Sequence, residues 1–385
     1  MSLRLHITVF RYFVFALLLI SCGNESNNSL TEIEKGNKLN LKYAQGFSVT
    51  DYGPYSIIEV SRPWPDSKKS YKYLLLRNNE KDNLSPTDTF DAVIQGEITR
   101  VVVTSTTHIP HLELLNSEKA LVGFPGTSYI SSKRTRALID ANKVRELGKN
   151  ESLNTEVLLE LKPDAVIGFG VEGVNKTFET IKKSGIPVLY NGDWVESSPL
   201  AKAEWIKFFG ALLNKNKEAD SIFNTIEQNY NSAKAIAQNS KERPTVLSGA
   251  MHKDIWYLPN GSSPEAKLMQ DANLDYLWQN TKGNGSLALS FEIVYDKAKE
   301  AELWLSPSYY SSLDQIKDAS NLYTKFEAFK TKNIFGFSGT TGKTGGVLYY
   351  EMGTARPDLV LKDLIKIGHP ELLIDYEPTF FKRLK

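Results

Sequence analysis

Cysteine is almost absent. Cys22 is the single one in 385 residues, so no internal disulfide can form and stability must come from packing. Charge of one sign is also lacking. Forty-six Lys and Arg stand against 45 Asp and Glu, for a net charge of +1, which argues against both a broad nucleic-acid surface and a solvating acidic tail. The apolar run of residues 12–20 falls short of the roughly 20 residues a spanning helix needs. No G-x-S-x-G elbow occurs, and no Ser-His-Asp arrangement is suggested by position, so nothing points to covalent catalysis. What remains is an ordinary globular composition, 41% apolar and 24% charged, at a length that predicts two or three domains. Eighteen Tyr and 6 Trp supply core material and rigid ligand walls alike.

The N-terminus is built for export. Arg4 and Arg11 precede a short apolar run that ends in "LISC", as in a signal peptide. The ending resembles the bacterial lipobox, which implies cleavage before Cys22 and a lipid on its sulfur. The polar tract "GNESNNS" that follows would let a tethered domain stand off the membrane. Residues 1–21 are therefore expected to be a signal peptide and 22–40 a linker, with the protein lipid-anchored on the periplasmic face of a bacterial envelope membrane.

Beyond the linker the pattern changes twice. Residues 41–97 carry short, partly alternating runs such as "YSIIEVSRPW", broken by Pro, Gly, Asp and Asn, and read as a β-rich extension. From 98 to 214 buried-type strands ("ITRVVVTST", "KALVGF", "PDAVIGFG", "IPVLYNG") alternate with short helices, the signature of an α/β layer with a mainly parallel sheet. "SPLAKAEWIKFFGALL" reads as one helix. Residues 215–240 place Ile222, Phe223, Ile226, Tyr230, Ala233 and Ala237 on one helical stripe with no Gly or Pro. The strand-helix rhythm then resumes to residue 385, with "SFEIVYDKAKE" and "PDLVLKDLIKIG" as helices. Two α/β lobes joined by a long rigid helix is the simplest fold. The lobes echo each other: Asn154 and Ser290 precede helices that carry Glu156 and Glu292 in the first turn, where an acidic side chain also suits the helix dipole.

Two stretches imitate other chemistries. "SGTTGKTGG" at 338–346 ends like a phosphate loop. However, the position that needs the first glycine is Phe337, and "GGVLYYEMG" does not read as the required helix start. His108 and His111 form H-x-x-H, yet no Glu follows to act as base and no cysteine completes a zinc set. A metal site would need help from His252 or His369.

The segments "RVVVTSTTHIPHLELL", "SLNTEVLLELKPDAVIGFG", "AEWIKFFGALL", "LALSFEIVYDKAKEAELWLSP" and "RPDLVLKDLIKIGHPEL" together resemble the periplasmic substrate-binding proteins of iron-siderophore and cobalamin ABC importers, in their long Bacteroidetes-type form. The resemblance implies a ligand clasped between lobes, no enzymatic activity and no cofactor. It also implies delivery to the transmembrane subunits of an importer, docked by one glutamate from each lobe. Glu156 and Glu292 occupy the matching positions, although "YDKAKEAE" departs from the pattern in the second lobe.

A ligand of an open α/β unit lies beyond the carboxyl ends of its strands. That rule selects Thr106, Thr107, His108, Val171, Glu172, Asp193 and Trp194 in the first lobe, with His252, Trp256, Tyr257, Tyr309 and Tyr310 in the second. Tyr129, Lys343, Tyr349, Tyr350 and Arg356 join them on the rim, the two cations as partners for a siderophore carboxylate or a corrinoid phosphate. The expected function is a monomeric lipoprotein that captures an iron-siderophore, haem or cobalamin. The alternative is a zinc- or manganese-type transport protein that uses His108 and His111.

Overall fold

The computed structural model describes residues 36–77, 89–171, 173, 175–283 and 285–385. The expected signal peptide, Cys22, most of the expected linker and Glu172 lie outside these residues.

The extension forms a five-stranded sheet of Asn37–Lys38, Phe47–Asp51, Tyr55–Val60, Tyr71–Leu76 and Ala92–Gln95, paired in that order. The first three pairings are antiparallel, with Val49 opposite Ile58, and the last is parallel. Alternation in "YSIIEV" turns Ile58 and Val60 into the interior. The sheet shares one hydrophobic core with the first lobe. The Tyr73 hydroxyl accepts the backbone N–H of Tyr190 at 2.9 Å.

The first lobe is a parallel sheet in the order Val188–Tyr190, Ala165–Gly168, Val101–Val103, Leu121–Phe124 and Arg145–Glu146. Its three central strands are wholly buried, as continuous apolar runs demand of a sheet covered on both faces. The second lobe repeats the design: Asp275–Tyr276, Thr245–Ser248, Leu303–Leu305 and Ile334–Gly336 run parallel, and Lys382–Arg383 closes the edge antiparallel. Beside it lies a small antiparallel sheet of Ala250–His252, Ile255–Pro259 and Ser286–Ser290.

One helix, Asn216–Ala237, spans both cores. At 22 residues it is about 33 Å long. Ala219, Phe223 and Ile226 belong to the first core, Tyr230, Ala233 and Ala237 to the second. Burial of a side chain such as Phe223 is worth roughly 1.5–3 kcal/mol. The extension fastens to this helix at the point where the cores change over. Tyr43 Oη donates to Glu227 at 2.8 Å, and Lys42 Nζ pairs with the same carboxylate. Nearby, the fully buried Glu204 accepts the backbone N–H groups of Lys42, Tyr43 and Ala44.

Three local expectations need correction. "SPLAKAEWIKFFGALL" is two helices, Pro199–Ala203 and Ile206–Leu212, not one. A strand, Ser286–Ser290, precedes the helix Phe291–Ala298; its two leucines alternate with small residues, but the run is too short to stand out from the helix that follows. "VLYYEM" does begin a short helix, Leu348–Met352.

Candidate ligand-binding cleft

A cavity of about 800 Å³ lies between the lobes. The first lobe contributes Trp194, Val195, Glu196 and Lys202, all following the strand Val188–Tyr190. The second contributes the segments after three parallel strands, among them Gly249, Ser306 and Phe337, together with the hairpin residues His252 and Tyr257. The cavity thus occupies the carboxyl ends of the sheets, where open α/β folds bind ligands.

Five of the residues singled out in the sequence line this cavity: Trp194, His252, Tyr257, Tyr349 and Tyr350. Trp194 and Tyr257 are 38% and 42% exposed, and each offers a flat face with a polar tip. Tyr349 stacks on Phe337 at 4.2 Å, and Tyr350 meets the same ring edge-on at 5.3 Å. Burial pushes both phenols up from a range in which they are already neutral. Tyr309 stands next to Tyr350 at the rim, ring centroids 6.4 Å apart.

The other positions go elsewhere. Trp256 is fully buried and packs on Trp304 and Tyr323. It sits on a strand rather than a loop, and the period of two that exposes Ile255 and Tyr257 turns Trp256 inward. Thr106 and Thr107 lie at the start of the helix His108–Leu114 and do not line the cavity. The helix Leu348–Met352 of the second lobe packs on that side. Arg356 is already paired with Asp358 through two bonds of 2.8 Å. Lys343 points away, 3.6 Å from Asp140, and Tyr129 is exposed outside the cavity.

His108 and His111 are fully buried against Phe209. Burial lowers both to about pH 3, so each is neutral. None of their four ring nitrogens has a hydrogen-bond partner among the described residues. No group of three or more His, Cys, Asp or Glu among the described residues could hold a metal ion, so the pair does not form the metal site that the alternative reading requires.

Sequence reasoning missed several lining residues. Arg62, Pro65 and Asp66 come from the extension, whose place over the cleft has no local signal. Glu196 and Lys202 follow the strand Val188–Tyr190, as Trp194 does, but beyond the first residues of its loop. Asp193, directly before Trp194, is fully buried; burial raises its carboxyl to about 6, opposed by the charge of Lys202 and a bond from Thr107. Glu196 is spoken for: its Oε1 accepts Gln45 N, Gly46 N and Trp205 Nε1 at 2.8–3.1 Å.

The glycine-rich stretch serves contact between the lobes. A Cβ on Gly346 would overlap the carbonyl oxygen of Tyr129, and one on Gly342 would overlap Ser131. Thr344 Oγ1 donates to Ser128 O, and Ser131 Oγ to Gly346 O, both at 2.7 Å. Glu156 and Glu292 are exposed in the first turns of the helices Thr155–Leu161 and Phe291–Ala298, capped by Asn154 and Ser290 respectively. Its own backbone N–H and the Ser290 hydroxyl hold the Glu292 carboxyl below its usual range.

Comparisons with known proteins agree with this geometry. The chain is 28% identical over 387 residues to lipoprotein MJ0878 of Methanocaldococcus jannaschii, covering 94% of this chain and 89% of that one. Among solved structures it is similar to a possible iron-binding, periplasmic solute-binding protein of Staphylococcus epidermidis, with 17% identity, a TM-score of 0.56, and coverage of 71% of this chain and 99% of that one. It is similar also to a periplasmic heme-binding protein of Pseudomonas aeruginosa, at 16% identity and a TM-score of 0.55 over 75% and 98% of the two chains. The sequence profile described as periplasmic binding protein matches residues 101–339. With well over half its length inside that match and both lobes built around one cleft, the chain belongs to the periplasmic binding protein family, whose members bind their ligands rather than turn them over.

Proposed function

We propose that this protein captures an iron-siderophore, haem or a cobalamin in the cleft and delivers it to the transmembrane subunits of an ABC importer. The observation that carries the reading is the cavity of about 800 Å³ lined from both lobes, a size suited to a chelate or macrocycle. Trp194, Tyr257 and Tyr350 give it flat walls, and neutral phenols supply donors for ligand oxygens. Closure of the lobes would bury the ligand, and opening at the membrane would release it. Glu156 and Glu292 would meet basic residues of the two importer subunits by charge complementarity. A lipid on Cys22 would hold the protein at the membrane, in keeping with the lipoprotein name of its archaeal relative.

Ligand retained through purification from the native envelope, identified by mass spectrometry, tests the reading directly. Titration of purified protein with ferric siderophores, haem and cobalamin, followed by tryptophan fluorescence, is the second arm. Saturable binding of one of them is expected. A protein that binds none of the three classes overturns the proposal.

A further inference from the structure

The N-terminal extension lies outside the family-matched residues, yet one of its connections is built into the cleft wall. Residues 61–70 join the strands Tyr55–Val60 and Tyr71–Leu76. They cross the carboxyl ends of two neighbouring first-lobe strands, and two glycines make room for them. A Cβ on Gly192, just past Val188–Tyr190, would overlap the carbonyl oxygen of Arg62. A Cβ on Gly170, just past Ala165–Gly168, would overlap the ring of Trp64.

The seat is firm. Trp64 is 8% exposed and meets Tyr190 edge-on at 5.3 Å. Ser61 N donates to Gly46 O at 2.8 Å, and Gly46 is itself held by the buried Glu196. A connection fixed this way presents its polar side chains at set positions.

Arg62 is the one of these that lines the cavity and carries a positive charge. Its Nη2 donates to Gln45 Oε1 at 2.9 Å, a neutral acceptor. Among the described residues no carboxylate lies within ion-pair distance of it. Of the nearby acids, Glu196 has its Oε1 taken by three donors, and Glu265 stands 3.9 Å from Lys202. Asp66 lies on the same connection, four residues on, with a left-handed backbone (φ 58°). A cleft-wall arginine with no ion pair keeps N–H groups that can take a carboxylate bidentately.

Resting on the transport reading above, we infer that the 61–70 connection is a ligand-contacting element and that Arg62 binds a carboxylate arm of the captured iron-bearing ligand. The extension thereby sets specificity, favouring carboxylate-bearing ligands over hydroxamate chelates and neutral corrinoids.

The test uses four probes on the full-length protein: ferric citrate, haem, haem dimethyl ester (carboxylates blocked) and ferrioxamine B (a hydroxamate chelate without carboxylates). Affinities are measured for wild type, Arg62→Ala, Arg62→Gln and Arg62→Lys, with circular dichroism to confirm that each variant folds. Expected is binding of ferric citrate or haem that weakens roughly 10- to 100-fold in Arg62→Ala and Arg62→Gln, the range for a lost charged hydrogen bond. Arg62→Lys should recover part of the loss, and the ester should bind wild type and Arg62→Ala alike. If wild type binds the ester or ferrioxamine B as tightly as the acids, or if Arg62→Ala leaves haem and citrate affinity unchanged, the inference falls while the transport reading stands. If wild type binds no iron chelate, haem or corrinoid, the transport reading fails and this inference goes with it.

Discussion

The carboxylate of Glu351, in the second lobe, accepts the backbone N–H of Ser132, in the first lobe, at 2.9 Å, and that of Ser131 beside it. Burial raises this carboxyl from the ordinary 4.5 to about 7, with Glu113 adding to the rise; the two N–H groups and the charge of Arg136 pull the other way. In an opened or unfolded chain the group would regain an ordinary value. The closed form therefore binds the proton more tightly. Its contribution is fully present below about pH 4.5 and is lost as pH rises through about 7. Small-angle scattering or ligand off-rates should show the lobes opening more readily as pH climbs through that window. Glu351→Gln should flatten the response, and an unchanged slope in that variant would remove Glu351 as its source.

Trp194 is the most exposed of the six tryptophans and the one that lines the cavity; Trp64, Trp205, Trp256, Trp278 and Trp304 are each 8% exposed or less. A ligand in the cleft should therefore report through Trp194. In Trp194→Phe most of the ligand-induced fluorescence change is expected to vanish while calorimetric binding persists, weakened by roughly 0.5–1.5 kcal/mol for the lost aromatic contact. Full quenching in the variant would place the ligand elsewhere.

Glu156 and Glu292 are exposed and touch neither the cavity nor a core. Glu156→Ala and Glu292→Ala should shift stability by no more than about 0.5 kcal/mol, as surface substitutions do, and leave ligand affinity intact. Transport in a reconstituted importer should drop, with the double variant lowest. Transport equal to wild type in the double variant would leave helix-end electrostatics as the sole role of both residues.

Gly346 packs where a side chain would strike the Tyr129 carbonyl. Gly346→Ala should cost roughly 1–3 kcal/mol of overpacking, spent on separating the lobes rather than on unfolding either one. Scattering should show a more open average shape with secondary structure unchanged by circular dichroism.

The two-lobe α/β architecture was legible because buried parallel strands are continuous apolar runs and the long helix carries an unbroken apolar stripe, Phe223 to Ala237. Pro357–Gly368 was equally clear, with proline at its start. The cleft was only half legible. The strand-end rule reached Trp194, His252, Tyr257, Tyr349 and Tyr350, because position in an α/β unit follows from element order. It misplaced Trp256, since a loop reading carries no inside and outside, whereas the hairpin strand it truly occupies does. It passed over Arg62 because the packing of one sheet against another leaves no periodic trace in either sequence. Lys343 looked free because its partner Asp140 is brought up by folding, whereas Arg356 pairs with Asp358 only two residues on, a contact open to a sequence reading. The histidine pair resembled a ligand set in spacing alone; Phe209, a hundred residues away in sequence, supplies the wall that buries it.

Asn216–Ala237 gives its first half to one interior and its second half to the other. Neither half-molecule owns a complete set of walls, so damage to one strips a face from the scaffold of its neighbour. Heat or denaturant should accordingly take the pair down together, in a single calorimetric peak. Any parting of the jaws would have to bend that shared spine as well as break the contacts across the cleft.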